Sequence, residues 1–287
     1  MRVNTAGAGA CFSVKVFPYE ELPVVRFLFK TVLLSCALSV TGVSHADDAP
    51  KNLPVTLTLL SSSGVTGAVQ AIAAEYEKIS GVKLLIKAAP PRGADPQAIP
   101  NRLDRNEPAD AVFTVGVALD RLIAQGQVDK RSRVDLGKSF IAVAVLEGAE
   151  KPDIDNMEAF RTTLINADSV AYSGSPSGAY LSHWLFPHMA LDQSFKLKSK
   201  AVRDEQVGSV VSRGEAQLGV QQLSELVSVP GIDIVGLIPD KAQQMVLYSG
   251  GVLKNSPHPA EAKALLDYMG SEKGREAITQ SGLKPMH

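Results

Sequence analysis

Two stretches of the chain leave an apolar run, pass through serine and glycine, and enter a segment with helical spacing. They are LLSSSGVTGAV at 59–69 and VAYSGSPSGAYLSHWL at 170–185. Such a junction presents free backbone N–H groups, serine hydroxyls and the positive end of a helix dipole, which together suit an anion. Serine and glycine are also favoured as plain helix caps, so either junction alone needs no ligand to account for it. Two of them in one chain shift the balance towards an anion cleft. Ser61, Ser62 and Ser63 in the first, with Ser175, Ser177 and Gly178 in the second, are therefore candidate binding residues.

Two further stretches carry the chemistry of acids. Arg92 lies in the loop APPRGADP, directly after the apolar run LLIKA. Its guanidinium offers a rigid fork that meets a carboxylate in bidentate geometry, and the flanking prolines and glycine stiffen the loop that holds it. The competing account is a solvated loop arginine, the common fate of that residue type. Further on comes QQLSEL at 221–226. A glutamine carries both donor and acceptor and binds a carboxylate or carbonyl without adding charge. If Gln221 closes its strand, Gln222 is the one placed to touch a ligand and Gln221 is satisfied against the core. Glu225, one helical turn on, is either a proton acceptor or an exposed surface glutamate.

Other chemistries are set aside on spacing. His183 and His188 are five apart, off a common helical face, and there is no H-E-x-x-H, so no metal site is expected. SGSPSG places Pro176 where a G-x-S-x-G elbow holds its nucleophile. SGVK at 80–83 fits S-x-x-K but straddles a helix end and a strand start.

The elements that would position these residues alternate along the chain. VTLTLL at 55–60 reads as a strand and SSSG as a turn. Val69, Ile72, Ala73, Tyr76 and Ile79 then recur at helical spacing, with Gly81 as the stop, which predicts a helix over about 66–80. Further strands are predicted at 83–88, 111–115, 139–146, 169–173, 217–221, 232–236 and 245–253, with helical segments mostly between them. Strands alternating with helices imply an α/β fold with a largely parallel sheet. The chain has 287 residues, 45% hydrophobic and 21% charged, with a net charge of -1. That describes an ordinary globular protein, and nothing in it is basic enough to suggest nucleic acid.

The first residues are a separate matter. Arg26 and Lys30 precede the apolar run TVLLSCALSVTGV, and SHA at 44–46 supplies the small residues a signal peptidase reads. A secretory signal cut after Ala46 is expected, with residues 1–23 sitting awkwardly ahead of it and translation beginning near Val24 or Val25. Both cysteines, Cys11 and Cys36, precede the cut, so the exported chain has no disulfide. A lipoprotein cut at Cys36 ranks second, because it leaves too short an apolar core.

With these residues in view, the chain resembles the periplasmic solute-binding proteins of the molybdate-binding type. The first serine junction, NRLDRNEPADAVFTVGVALDRLIAQGQV (101–128), DLGKSFIAVAVLEGA (135–149), SGSPSGAY and RGEAQLGVQQLSEL (213–226) follow that family's order. The resemblance implies an α/β, two-lobed periplasmic-binding-protein fold of type 2, with two crossover strands and a ligand cleft between the lobes. Mapped onto this chain, residues 1–46 are the extension and signal. Lobe one is 47–138 plus 245–287, and lobe two is 139–244.

Molybdate sites of this family use neutral donors, with a second serine after the second strand and a tyrosine after the G-V strand. Here those places hold APPRGADP and the pair Gln221 and Gln222, and the change implies an organic acid in place of a compact oxyanion. Two functions follow from the resemblance. One is an isomerase interconverting trans- and cis-aconitate by an allylic proton shift, needing no metal or cofactor, with Arg92 as carboxylate clamp and Glu225 as base. The other is a receptor that hands a small carboxylate, or less readily molybdate, to an ABC permease. The expectation taken forward is the isomerase, exported to the periplasm, acting as a monomer on a di- or tricarboxylate.

Overall fold

The structure, a computed structural model, describes residues 54–286. The signal, its cut after Ala46 and both cysteines lie outside the described residues. Among the described residues the alternating apolar runs form eleven strands. Four come first: β1 (Thr56–Ser61), β2 (Lys83–Ala88), β3 (Ala111–Val115) and β4 (Val134–Ser139). Five follow: β5 (Ile141–Leu146), β6 (Val170–Ser173), β7 (Ser199–Val202), β8 (Leu218–Gln222) and β9 (Ile232–Leu237). The last two are β10 (Val246–Val252) and β11 (Lys284–Pro285). They make two sheets, one in the order β11-β4-β10-β3-β1-β2 and the other β7-β6-β8-β5-β9.

Both sheets are mixed, which corrects the expectation of a largely parallel arrangement. β1 runs parallel to β2 and β3, and β6 to β7 and β8. β10 is antiparallel to β3 and β4, and β5 to β8 and β9. The cause is connectivity. Parallel neighbours need a long crossover, usually helical, whereas β5 and β10 enter their sheets directly from the other lobe.

The chain passes between lobes twice. The first passage is Phe140, the single residue between β4 and β5. The second runs from β9 to β10 through the short turn Asp240–Ala242. Gln243 pins the two together: its Oε1 accepts from Ile141 N at 2.9 Å, and its Nε2 donates to Ile141 O at 2.7 Å and Ile238 O at 3.0 Å.

Each lobe has its own core. Helix α1 (Ser63–Ser80) lays Val65, Ala68, Val69, Ile72 and Tyr76 on Leu57 and Leu59 of β1 and Phe113 of β3. Gly81 ends it in the left-handed region at φ 71°, its N–H donating to Glu77 O at 2.9 Å. That stop leaves Ile79 beyond the packed face and 61% exposed, so it is not a core residue as its spacing suggested. In the other lobe Phe160, Leu181, Leu185 and Phe195 cover Ile141, Val143 and Val220. Burying each such side chain stabilises by about 2 kcal/mol. The aspartate of the PAD motif has a structural role. Asp110 accepts from Thr58 N at 2.8 Å and from Ser256 Oγ at 2.7 Å, tying β1 to the loop after β10.

Candidate functional site

The carboxyl ends of β1, β3, β6 and β8 converge on one narrow cleft of about 80 Å³ between the lobes. That is where open α/β sheets place their ligands. Lobe one contributes Ser62, Ser63, Pro91, Val115, Val246 and Tyr248. Lobe two contributes Ser175, Pro176, Ser177, Gln222 and Glu225. The two serine junctions, far apart in sequence, thus face one another.

Neither junction is a plain cap. Ser62 is the N-cap of α1 and Ser175 the N-cap of the helix Pro176–Tyr180, yet neither side chain makes a capping hydrogen bond. The Ser62 Oγ, in a residue only 2% exposed, has no partner. The Ser175 Oγ meets the Ser177 Oγ at 3.0 Å. Across the cleft the Gln222 Oε1 is likewise buried and unpartnered, while its Nε2 reaches Gln244 O only at 3.5 Å. An unmet buried polar atom costs about 1–3 kcal/mol, so two of them lining the same opening mark a place built to meet something else.

Two glycines permit this geometry by their lack of a side chain. A Cβ on Gly178 would lie 1.4 Å from the Ser173 carbonyl oxygen, so only glycine lets this helix sit against the end of β6. A Cβ on Gly64 would lie 2.0 Å from the Tyr248 hydroxyl, so the first turn of α1 closes over Tyr248 for the same reason.

Beneath the cleft lies a buried polar chain. Gln221 Oε1 accepts from Val207 N at 3.0 Å, and its Nε2 donates to Glu225 Oε2 at 2.8 Å. The other oxygen, Glu225 Oε1, accepts from the Ser63 hydroxyl. Glu225 is 6% exposed, and burial pushes its carboxyl above the usual range against the opposing pull of Ser63 and Gln221. Burial, and then the nearby Glu225 charge, push the Tyr248 hydroxyl far up, so it stays neutral.

Of the residues named from sequence, Ser62, Ser63, Ser175, Ser177, Gln222 and Glu225 line the cleft. Three are brought close but serve it indirectly. Ser61 is buried with its Oγ against Thr66 Oγ1 at 2.8 Å, Gln221 holds Glu225, and Gly178 seats the helix. Arg92 is exposed on the rim, next to the lining residue Pro91, and no hydrogen bond or ion pair engages it among the described residues. Tyr248 escapes a reading of the sequence, because a tyrosine inside an apolar strand reads as core. His188 packs on Trp184, with ring centroids 4.2 Å apart. A wider groove of about 640 Å³, lined by Ala149, Pro152, Thr163, Asp168 and Gln217 among others, contains no unpartnered buried polar side chain among the described residues.

Two lobes, two direct crossings and a polar cleft at the strand ends define a small-molecule-binding protein of the periplasmic-binding-protein fold. The chain belongs to the bacterial extracellular solute-binding protein family, whose pattern matches residues 57–284. It is 63% identical to an aconitate isomerase of a Pseudomonas species, over 231 residues that make up 80% of this chain and 88% of that protein. Its fold is that of the periplasmic molybdate-binding protein of Azotobacter vinelandii (18% identity, TM-score 0.60, 79% of this chain and 98% of that one). It is shared by Peb3 from Campylobacter jejuni (15% identity, TM-score 0.58, 79% of this chain and 99% of that one).

The family and fold matches correct the expectation of an isomerase. The family whose pattern spans residues 57–284 is one of solute binders, and the fold is that of binding proteins. The catalytic roles given to Arg92 and Glu225, and the aconitate and tricarboxylate specificity, go with it. In the fold Glu225 accepts from Ser63 and Gln221, and Arg92 is not among the residues that line the cleft.

Proposed function

We propose that this protein is the periplasmic receptor of an ABC transporter for a small organic acid, which it holds between its lobes and hands to a membrane permease. One observation carries the reading: the Ser62 Oγ, buried and without a partner, faces the cleft with a hydroxyl free to donate to an anion, while the unpartnered Gln222 Oε1 across from it can accept from a hydroxyl or protonated group of the ligand. Neutral hydroxyl and amide donors at the start of α1 suit an anion, and Arg92 on the rim adds a carboxylate-matched fork as the lobes close. The relative named for an enzyme of aconitate supports an organic acid as the ligand class.

The test is a thermal-shift panel of succinate, malate, citrate, cis- and trans-aconitate, molybdate and tungstate, since a ligand that binds only the native state raises the melting temperature. At least one acid is expected to stabilise, by about 2.7 kcal/mol at a hundredfold excess over Kd, and to be recovered unchanged. Stabilisation by molybdate alone defeats the organic acid. Conversion of a bound acid into an isomer defeats the receptor. Arg92→Ala is expected to weaken the stabilising acid about fivefold, the scale of an exposed ion pair, and Arg92→Lys to recover little of it.

The family and fold support a periplasmic location, and we propose that the exported chain begins at Asp47. N-terminal sequencing of the secreted protein reads this directly. A terminus at Cys36 carrying lipid would replace the soluble receptor with an anchored one.

A further inference from the structure

Which atom of Glu225 can hold a proton is fixed by its neighbours. Val207 N–H donates to Gln221 Oε1, so the Gln221 amide faces Glu225 with its NH2, and Glu225 Oε2 must accept whatever the charge state. Only Oε1 is open to a proton, and Oε1 faces the exposed Ser63 hydroxyl at the cleft. Ser63 has one hydrogen. With Glu225 ionised, that hydrogen is held by Oε1 and Ser63 turns only lone pairs to the cleft. With Oε1 protonated, Glu225 donates to Ser63, whose hydrogen is released to point at a ligand.

We propose that Glu225 determines the cleft's selectivity for anions: an organic anion is captured with Glu225 protonated on Oε1 and Ser63 donating to the ligand, so that one proton is taken up with each molecule bound. The proposal rests on the organic-acid reading of the same site. The proton comes from solvent, forms an O–H bond at Oε1, and returns to solvent on release. An ionised Glu225 beside a bound carboxylate would leave two anions facing each other across one hydroxyl, with Arg92 out on the rim and not between them.

Among the described residues, the elements packed against Glu225 contain nothing else that titrates in this way. From β10 the facing group is Tyr248, neutral because its hydroxyl is pushed far up. β5, β8 and the helix Val207–Ser212 carry no ionisable side chain. The charged residues of α1, Glu75, Glu77 and Lys78, lie about 18 Å or more down its axis from Ser63. Burial of Glu225 acts in the same sense, favouring the neutral acid.

The experiment is calorimetric titration with succinate and trans-aconitate between about pH 7 and 9.5, where their own carboxyls are ionised. The wild type is expected to lose affinity as pH rises above the Glu225 pKa of the free protein, approaching tenfold per pH unit. Titrations in two buffers of different ionisation heat should then show close to one proton taken up per ligand. Glu225→Gln is expected to bind with no pH dependence, since the Gln221 amide holds the new oxygen at the Oε2 place and the new NH2 donates to Ser63. An acid that binds the wild type with flat affinity and no proton uptake overturns the proposal, as does a Glu225→Gln protein that keeps the wild-type slope. Should that variant fail to fold, the two-buffer measurement on the wild type decides alone. Absence of binding by either acid at every pH strikes the organic-acid reading instead.

Discussion

Gly178→Ala is expected to lower the melting temperature of the free protein by roughly 10 °C, the equivalent of about 3 kcal/mol in a domain of this size. The added carbon would lie 1.4 Å from the Ser173 carbonyl oxygen and 2.5 Å from its carbon. Both are backbone atoms, so no side-chain rotation relieves the clash. The helix Pro176–Tyr180 has to lift off the end of β6, and it carries the packing of Leu181 and Leu185 with it. Gly67→Ala supplies a control of opposite sign. It lies inside α1, its new carbon would be 3.5 Å from Ser281 Cβ, and helical alanine is favoured over glycine by about 1 kcal/mol. Melting curves of the two variants side by side give the answer. If Gly178→Ala melts with the wild type, the close seating of this helix, and with it the placement of Ser175 and Ser177, is wrong.

The elements are legible wherever the apolar pattern is local. β2 and β3 fall on the residues the pattern marks, and Gly81 ends α1 at the stop its type predicts. The start of α1 lies about one turn earlier than its spacing predicts, because Ser63 and Gly64 look like turn residues. Gly64 lets this first turn close over Tyr248, a contact with a residue far along the chain. Sheet direction is not legible either. Whether β5 and β10 run with or against their neighbours depends on a chain that changes lobes, and no window of sequence contains that information.

The site divides in the same way. Serine, glycine and glutamine stand out by type, but what each does is set by contacts between lobes. The sequence alone leaves Gln221 and Gln222 as a pair with one ligand contact between them, and β8 separates them by its alternation: one turns to Glu225, the other to the cleft. By type and spacing Glu225 is a base or a surface glutamate, and in the fold it is buried, with each oxygen accepting one hydrogen bond from the protein. Its burial comes from α1, whose Ser63 lies 162 residues away in sequence. Arg92, the most suggestive single residue by chemistry, is exposed and engaged by no hydrogen bond or ion pair among the described residues, so no contact in the fold fixes where its guanidinium points.

Ser62→Ala is expected to separate stability from binding. At an ordinary N-cap this replacement costs about 0.5–2 kcal/mol, because it removes the hydroxyl that accepts from the first turn. Here the Ser62 side chain makes no capping bond, and its Oγ is buried without a partner. Removing it takes away an unmet polar atom at no loss of a protein contact, so the free variant is expected to melt at or a few degrees above the wild type. Binding moves the other way. If the hydroxyl is kept for an anion, its loss removes a charge-assisted hydrogen bond of about 1.5–3 kcal/mol, a fall in affinity of roughly 10- to 100-fold. Thermal melts with and without the stabilising acid measure both quantities on one sample. A destabilised free protein would mean that Ser62 caps α1 after all, and an unchanged shift with ligand would mean that the acid does not reach it. Higher stability together with weaker binding is the outcome that a serine committed to a ligand requires.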